Sequence, residues 1–293
     1  MDQPRLTSTI PRVIASCQEI RNIVLEARAR GQRVGVVPTM GALHKGHLSL
    51  AQAARSECDV AVATIFVNPT QFGPHEDFQR YPRTLEADLE ALAHCATNLV
   101  FVPPADEIYP PGFSTCVEPP AVAARWEGAC RPGHFRGVAT IVLKLFQAIP
   151  AHVAYFGQKD YQQCRVIERM VADLNVPIEV CILPTVREPD GLAMSSRNRY
   201  LQPDERRIAL ALYRSLERAQ RMVDAGCRVA DDISAAVHQQ LAEDGVSRVE
   251  YVAVADPVSL EPVVHVGQPT VVLIAAYVGK TRLIDNVILR LPG

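Results

Sequence analysis

Between residues 33 and 186 the chain alternates short β-branched runs with longer amphipathic segments, and nothing else in it limits the fold so tightly. The runs fall at 33–38 (RVGVVP), 60–67 (VAVATIFV), 99–102, 153–156 and 178–186, with helical spacing over 47–58 (HLSLAQAARSEC), 85–95, 138–146 and 161–174. Continuous apolar runs suit strands buried on both faces, and helices between them imply a parallel sheet with right-handed crossovers. The first part of the chain therefore reads as α/β.

After the loop REPDGLAMSSRNRYLQ the pattern changes. Two helices are expected at 204–225 and 230–244, then β-rich runs at 248–255, 270–278 and 281–291, the last two joined by the hairpin signal VGKT. Helices followed by a hairpin describe a smaller α+β domain. The boundary is set near residue 186, giving domains 1–186 and 187–293.

Charge narrows the class of partner. Thirty Lys and Arg against 32 Asp and Glu leave a formal charge of -2, so no whole-molecule field draws the chain to nucleic acid or an anionic membrane. A small-molecule partner is expected. The eight cysteines show no CxxC and no regular spacing, the usage of reduced thiols, so neither disulfides nor structural zinc are expected. The N-terminal MDQPRLTSTIPRVIAS lacks the apolar core of an export signal, and the apolar stretch 262–279 is broken by His265, Gly267, Gln268 and Pro269. A cytoplasmic location is the expectation.

In an open parallel sheet the ligand sits beyond the carboxyl ends of the strands. The polar loops there are PTMGALHKGH, NPTQFGPHEDFQRYPRT, GQKDYQQ and REPDGLAMSSRNR. The first holds His44 and His47 with Gly41 and Gly46 at a helix entrance, where glycines let backbone approach a phosphate and helix-start amides face an anion. A tight turn with two solvated histidines is the plain alternative, and half a zinc site is disfavoured without a third ligand nearby. Lys159 supplies a compact cation for phosphates, with Asp160 beside it to bond a ribose or hold the lysine. Arg197, after Met194, Ser195 and Ser196, offers a fork of donors suited to phosphate oxygens, while Asp190 and Gly191 mark a turn that lets the loop close as a lid. Glu86, Asp88 and Glu90 alternate on a helix, the usual look of a solvated face.

PTMGALHKGHLSL resembles the HxGH signature of the nucleotidyltransferase superfamily that includes class I aminoacyl-tRNA synthetases. Within it, FVNPTQFGPHEDFQRYPRT, RPGHFRGVATIVLKLF, AYFGQKDYQQ, MSSRNRYL and RLIDN resemble, in order, the AMP-forming ligases of the pantothenate synthetase family over about residues 35–286. Lys45 is a departure between the histidines. The resemblance implies a Rossmann-like nucleotidyltransferase domain binding ATP and pantoate, followed by a smaller α+β lid domain. It implies condensation of (R)-pantoate with β-alanine through a pantoyl adenylate, releasing AMP and pyrophosphate, in a cytoplasmic homodimer. A related nucleotidyltransferase acting on another small acceptor is the alternative reading.

Roles follow from the same resemblance. The catalytic set is His47, His44, Lys159, Ser195, Ser196 and Arg197, with His47 foremost. ATP is expected against Met40, Gly41, Ala42, Leu43, His44, Lys45, Gly46 and His47. It is further expected against Gly157, Gln158, Lys159, Asp160 and Val186, and against Met194 to Arg197. Gln71 and Gln163 are expected to bind pantoate, and Gln71 also β-alanine, as neutral amides suit a substrate with hydroxyls and one carboxylate. Asn68, Tyr81 and Arg131 are weaker candidates. Magnesium comes with the triphosphate, and Asp88 is the carboxylate that the resemblance assigns to it.

Overall fold

β-Branched segments and amphipathic stretches take up the alternation in a computed structural model that describes residues 10–74, 76–267 and 269–291. In chain order the elements are β1 (Arg12–Ile14), α1 (Cys17–Ala29), β2 (Val34–Val37), α2 (Lys45–Glu57), β3 (Val60–Thr64), α3 (Leu85–His94) and β4 (Leu99–Phe101). They continue with the short α4 (Ala105–Ile108) and α5 (Glu127–Cys130), then α6 (His134–Ala148), β5 (Val153–Gly157), α7 (Tyr161–Asp173) and β6 (Glu179–Leu183). The remainder comprises α8 (Pro203–Asp224), α9 (Ala230–Glu243), β7 (Arg248–Ala255), β8 (Thr270–Val278) and β9 (Thr281–Leu289).

The chain divides into two compact units. The first runs through Glu118 and takes in Gly133–Gly157 and Ile167–Leu183. It contains a six-strand parallel sheet in the order β1-β4-β3-β2-β5-β6. β2 and β5 flank the place where the strand order reverses, the position at which such sheets bind ligands. Leu50 and Ala54 of α2, with Cys58 just after it, pack with Val37, Val153 and Tyr155 of the sheet, and Leu92 of α3, with Cys95 just after it, packs with Ala63 and Val100. β1 and α1 lie outside the alternation expected from sequence. α1 nevertheless carries a start signal, as Ser16 caps it by accepting from the amide of Glu19.

The second unit holds Pro119–Pro132, Gln158–Val166 and everything from Pro184 onward. Its antiparallel sheet, β7-β8-β9, packs Val272, Ile274 and Leu283 against Leu212, Leu216, Ile233 and Leu241 of α8 and α9. The VGKT hairpin pairs Val278 with Thr281. Two segments from the stretch expected to be the first domain also belong here, because their side chains pack on this sheet. Trp126 donates to the carbonyl of Leu260 at 2.9 Å, and the Tyr161 hydroxyl to that of Pro257 at 2.9 Å. No described helix is long and apolar enough to cross a membrane.

Candidate active site

The loop leaving β2 turns on two consecutive left-handed residues, Gly41 at φ 83° and Ala42 at φ 51°. Only glycine suits the first position: a Cβ there meets Ile65 Cγ2 at 3.0 Å and Asp88 Oδ2 at 3.1 Å. His44 then caps α2. The amide of Gly46 donates to His44 Nδ1 at 3.2 Å, and the amide of His44 donates to His47 Nδ1 at 3.4 Å. The two rings stack with centroids 4.0 Å apart. A backbone N–H donating to Nδ1 sets that nitrogen as the acceptor and leaves Nε2 as the N–H donor of each ring. The pair is thus held as two Nε2–H donors. Lys45 between them is exposed. The helix-start amides expected to face an anion are in part engaged by His44 itself.

Asp88 meets this loop from the first turn of α3. Its carboxylate accepts the amide of Ala42 at 2.9 Å and that of Leu43 at 2.8 Å, with the Thr84 hydroxyl 3.3 Å from both oxygens. Only 3% of the residue is exposed, so this is not the solvated face suggested by its alternation with Glu86 and Glu90. Nor does it present the open oxygens that the implied magnesium ligand requires. Among the described residues no group of three or more His, Cys, Asp or Glu could hold a metal ion.

After β3, Asn68 and Gln71 bracket a single 3-10 turn. Asn68 Nδ2 donates to Gln71 Oε1 at 3.0 Å and to the carbonyl of Gly137 at 3.2 Å, while its Oδ1 accepts from the Tyr109 hydroxyl at 2.7 Å. Gln71 Nε2 reaches Met40 Sδ at 3.1 Å, which ties this turn to the histidine loop. Tyr81 is buried, its ring edge-on to Phe72. A largely apolar cavity of about 430 Å³ lies beside the loop, walled by Met40, Gly41, Ile65, Phe78, Arg83 and Asp88. Gly157, at the end of β5, completes the candidates found in the first unit.

In the second unit Gln158, Lys159 and Asp160 form a 3-10 turn fixed from β9. Asn286 Nδ2 donates to the carbonyls of Gln158 and Lys159 at 3.0 and 2.9 Å. Lys159 Nζ lies 3.8 Å from Asp160 Oδ1, a contact loose enough to leave the ammonium available to a ligand. Gln163 follows on α7 next to Gln162, whose buried amide accepts from the backbone of Glu127 and donates to the carbonyls of Val122 and Arg125.

The loop of Met194 to Arg197 is one arm of a small hairpin. Met194 donates its amide to the carbonyl of Val186 at 3.0 Å, and the chain reverses at Gly191, φ 98°. Ser195 Oγ accepts the amide of Arg197 at 3.2 Å, and Ser196 is buried. Arg206 clamps the hairpin through Glu188 at 3.0 Å and Asp190 at 2.8 Å. Burial alone raises the Asp190 pKa, but Arg206 and the Leu192 amide outweigh it and hold the carboxyl below its ordinary value.

Asp285 beside Asn286 binds Arg187 with both oxygens, at 2.6 and 3.0 Å, so adjacent residues of β9 secure both the lysine turn and the hairpin. RLIDN carries these residues, but the sequence gives no sign of what they hold. A second unanticipated group is Glu127. Its oxygens accept from Arg282 at 2.8 and 2.7 Å, from Arg131 at 3.1 Å and from the Tyr251 hydroxyl at 3.1 Å. Arg131, a weaker candidate for the site, is therefore part of a buried ion cluster. Burial and the Glu127 charge push the Tyr251 hydroxyl well up. Burial works against the charge of Arg282, but Glu127 and Glu250 raise its pKa on balance.

A parallel sheet with a paired-histidine loop at the point of strand reversal defines an α/β enzyme of the nucleotide-handling class. Residues 12–288 match the Pantoate-beta-alanine ligase family model, and the chain belongs to that family. It is 52% identical over 270 residues to a pantothenate synthetase of Moorella thermoacetica, an alignment covering 92% of this chain and 95% of the relative. The crystal structure of pantothenate synthetase from Thermus thermophilus superimposes with a TM-score of 0.89 at 44% identity, covering 94% of this chain and 98% of that one. The pantoate-beta-alanine ligase of Francisella tularensis, crystallised with beta-gamma ATP and beta-alanine, gives 0.79 at 35% identity over 95% and 97% of the two chains.

Proposed function

We infer that this chain joins (R)-pantoate to β-alanine in an ATP-dependent ligation that forms pantothenate. The observation that carries the reading is the paired-histidine loop at β2, found in a chain that matches the ligase family over residues 12–288. In the first step a pantoate carboxylate oxygen attacks the α-phosphorus of MgATP, the bond to the β-phosphate breaks, and pyrophosphate leaves. In the second the β-alanine amine attacks the acyl carbon of pantoyl adenylate; the C–N bond forms, the C–O bond to AMP breaks and the amine loses a proton. Both steps run between bound substrates, so the protein supplies position, charge and shelter from water.

His44 and His47 donate from Nε2 to phosphate oxygens as charge moves onto pyrophosphate. Lys159 brings a cation to the β- and γ-phosphates, and Ser195, Ser196 and Arg197 add donors to them. Gln71 and Gln163 hydrogen-bond pantoate, and Gln71 also meets β-alanine. Magnesium arrives as part of the MgATP substrate, on the oxygens of the triphosphate. A homodimer in the cytoplasm completes the proposal; eight free thiols suit a reducing compartment.

A mass-resolved assay with MgATP and pantoate, with and without β-alanine, tests the reading. Pantothenate and AMP should form together only with all three substrates, and enzyme-bound pantoyl adenylate should accumulate without the amine. ATP binding with neither product would overturn the substrate assignment. Sedimentation of the purified chain checks the dimer.

A further inference from the structure

We propose that Asp88 is a positioning residue that sets the paired-histidine loop for adenylation, and not a ligand of magnesium. The backbone before His44 holds Ala42, a residue with a Cβ, in the left-handed region at φ 51°. That conformation costs an L-residue roughly 1–2 kcal/mol and persists only where the surroundings over-determine it. Asp88 supplies the determination. Each oxygen takes one amide of the turn, from Ala42 at 2.9 Å and from Leu43 at 2.8 Å, and charge-assisted bonds of this kind are the stronger sort.

The setting offers the carboxylate partners on every side. Among the described residues its hydrogen-bond donors are these two amides and the Thr84 hydroxyl, and it sits in the first turn of α3, where the helix dipole favours a negative charge. Magnesium asks for octahedral oxygen ligands at about 2.0–2.1 Å and keeps several waters. A residue 3% exposed, with both oxygens turned to backbone amides, offers no such face.

The influence of Asp88 on the histidines passes through one residue. Leu43 is bonded to Asp88 and precedes His44, whose amide donates to His47 Nδ1 and whose own Nδ1 accepts from Gly46. Fixing the Leu43 amide thus fixes the start of α2 and the direction of both Nε2–H groups. The inference rests on the reading that His44 and His47 face the phosphates.

The test uses Asp88→Ala and Asp88→Asn in the full chain. Pantoate-dependent exchange of pyrophosphate into ATP is followed across magnesium concentrations, beside attack of β-alanine on supplied pantoyl adenylate. Side-chain NMR of the imidazoles reports the tautomers. Misplacing reacting groups by an ångström costs on the order of 10²-fold, so the exchange kcat should fall by about that factor in Asp88→Ala. Asp88→Asn should lose nearly as much, because its amide sets an NH₂ against an N–H. Half-saturating magnesium should move by less than about twofold, as the metal stays on the triphosphate. The Nε2–H tautomer of His44 and His47 should give way to a mixture, while the second step slows much less.

A rise of about tenfold or more in half-saturating magnesium, with the rate restored at saturation, would show a ligand and overturn the proposal. Equal loss of both steps with unchanged tautomers would reduce Asp88 to a general stability role and overturn it as well. His47→Ala in the same exchange assay separates the underlying reading: an undiminished rate there sinks the phosphate-facing role of the histidines, whatever the tautomers do in the Asp88 variants.

Discussion

Asn68 points its Nδ2 at Gln71 Oε1, 3.0 Å away, and so sets the Gln71 amide with its Nε2 toward Met40 Sδ. Asn68 Nδ2 also bonds the carbonyl of Gly137, so two acceptors depend on one donor group. Asn68→Asp keeps the shape and replaces that donor with an acceptor. Leaving buried acceptors unmet costs about 1–3 kcal/mol, which here should appear as a pantoate KM higher by about 5- to 160-fold. ATP affinity, read by calorimetry, should stay as in the parent chain. Equal weakening of both substrates would remove Asn68 from the orientation of Gln71.

His47 accepts a backbone N–H at Nδ1, which leaves Nε2 as a fixed donor for the role proposed above. Loss of one aimed donor at a centre of developing charge costs on the order of 10²–10³ in rate. His47→Ala should slow adenylate formation by about that factor and β-alanine attack on supplied adenylate far less. Rapid-quench measurement of the two steps decides the matter, and comparable slowing of both would refute a phosphate-centred role.

Glu127 joins Arg282, Arg131 and Tyr251 in a buried cluster, with Glu127 itself 6% exposed. Removing one partner of such a group leaves uncompensated charge, and Glu127→Ala should cost about 3–5 kcal/mol. Denaturant unfolding followed at Trp126, which lies next to Glu127 in the same segment, gives the measurement. A midpoint equal to that of the parent chain would mean that Arg282 finds water instead.

What could be read from the chain follows from where the controlling contacts lie. The strands β2 to β5 are legible because they are buried and their apolar runs are continuous, and β6, only half-buried, keeps a short apolar run of its own. β1 is three residues at a sheet edge and gives almost no pattern, whereas α1 carries a legible cap in Ser16 and Glu19 but lies outside the strand–helix alternation. Membership of 119–132 in the second unit is decided by Glu127 and Trp126 meeting residues more than a hundred positions later, and local periodicity carries no trace of that. Asp88 shows the same limit. Its spacing with Glu86 and Glu90 suits a solvated face, and only the approach of a distant left-handed turn makes it buried. The histidine pair was visible because its geometry is local: one glycine, one helix start and two rings three residues apart.

The charged form of Asp190 holds the 186–194 hairpin through Arg206. Since Arg206 and the Leu192 amide depress its pKa below 3.8, the contribution is present above the unfolded value and is lost as pH falls through the folded one. Asp190 is partly exposed, so at pH 7 Asp190→Asn should cost at most about 1 kcal/mol. The difference should vanish in acid. Unfolding midpoints of the two chains compared at pH 7 and below the depressed pKa check this; a gap that widened in acid would contradict the sign.

Gly137 lies inside α6, where alanine ordinarily stabilises a helix by about 0.5–1 kcal/mol relative to glycine. Here the added Cβ would lie 2.3 Å from the carbonyl oxygen of Thr70, 2.6 Å from its carbon and 2.7 Å from Gln71 Cα. These are backbone atoms of the turn that presents Gln71, and no rotamer change can clear them. Either α6 withdraws, breaking the bond from Asn68 Nδ2 to the Gly137 carbonyl, or the turn moves and carries Gln71 with it. Gly137→Ala should therefore destabilise the chain by about 1–3 kcal/mol, the ordinary cost of overpacking, against the helix-propensity trend. In steady-state kinetics the pantoate KM should rise by a larger factor than the ATP KM if, as proposed, the displaced Gln71 amide meets the acid and not the nucleotide. Thermal unfolding beside two-substrate kinetics measures both effects, and a stabilised protein with unchanged pantoate KM would show that the contact between α6 and the 69–71 turn yields freely.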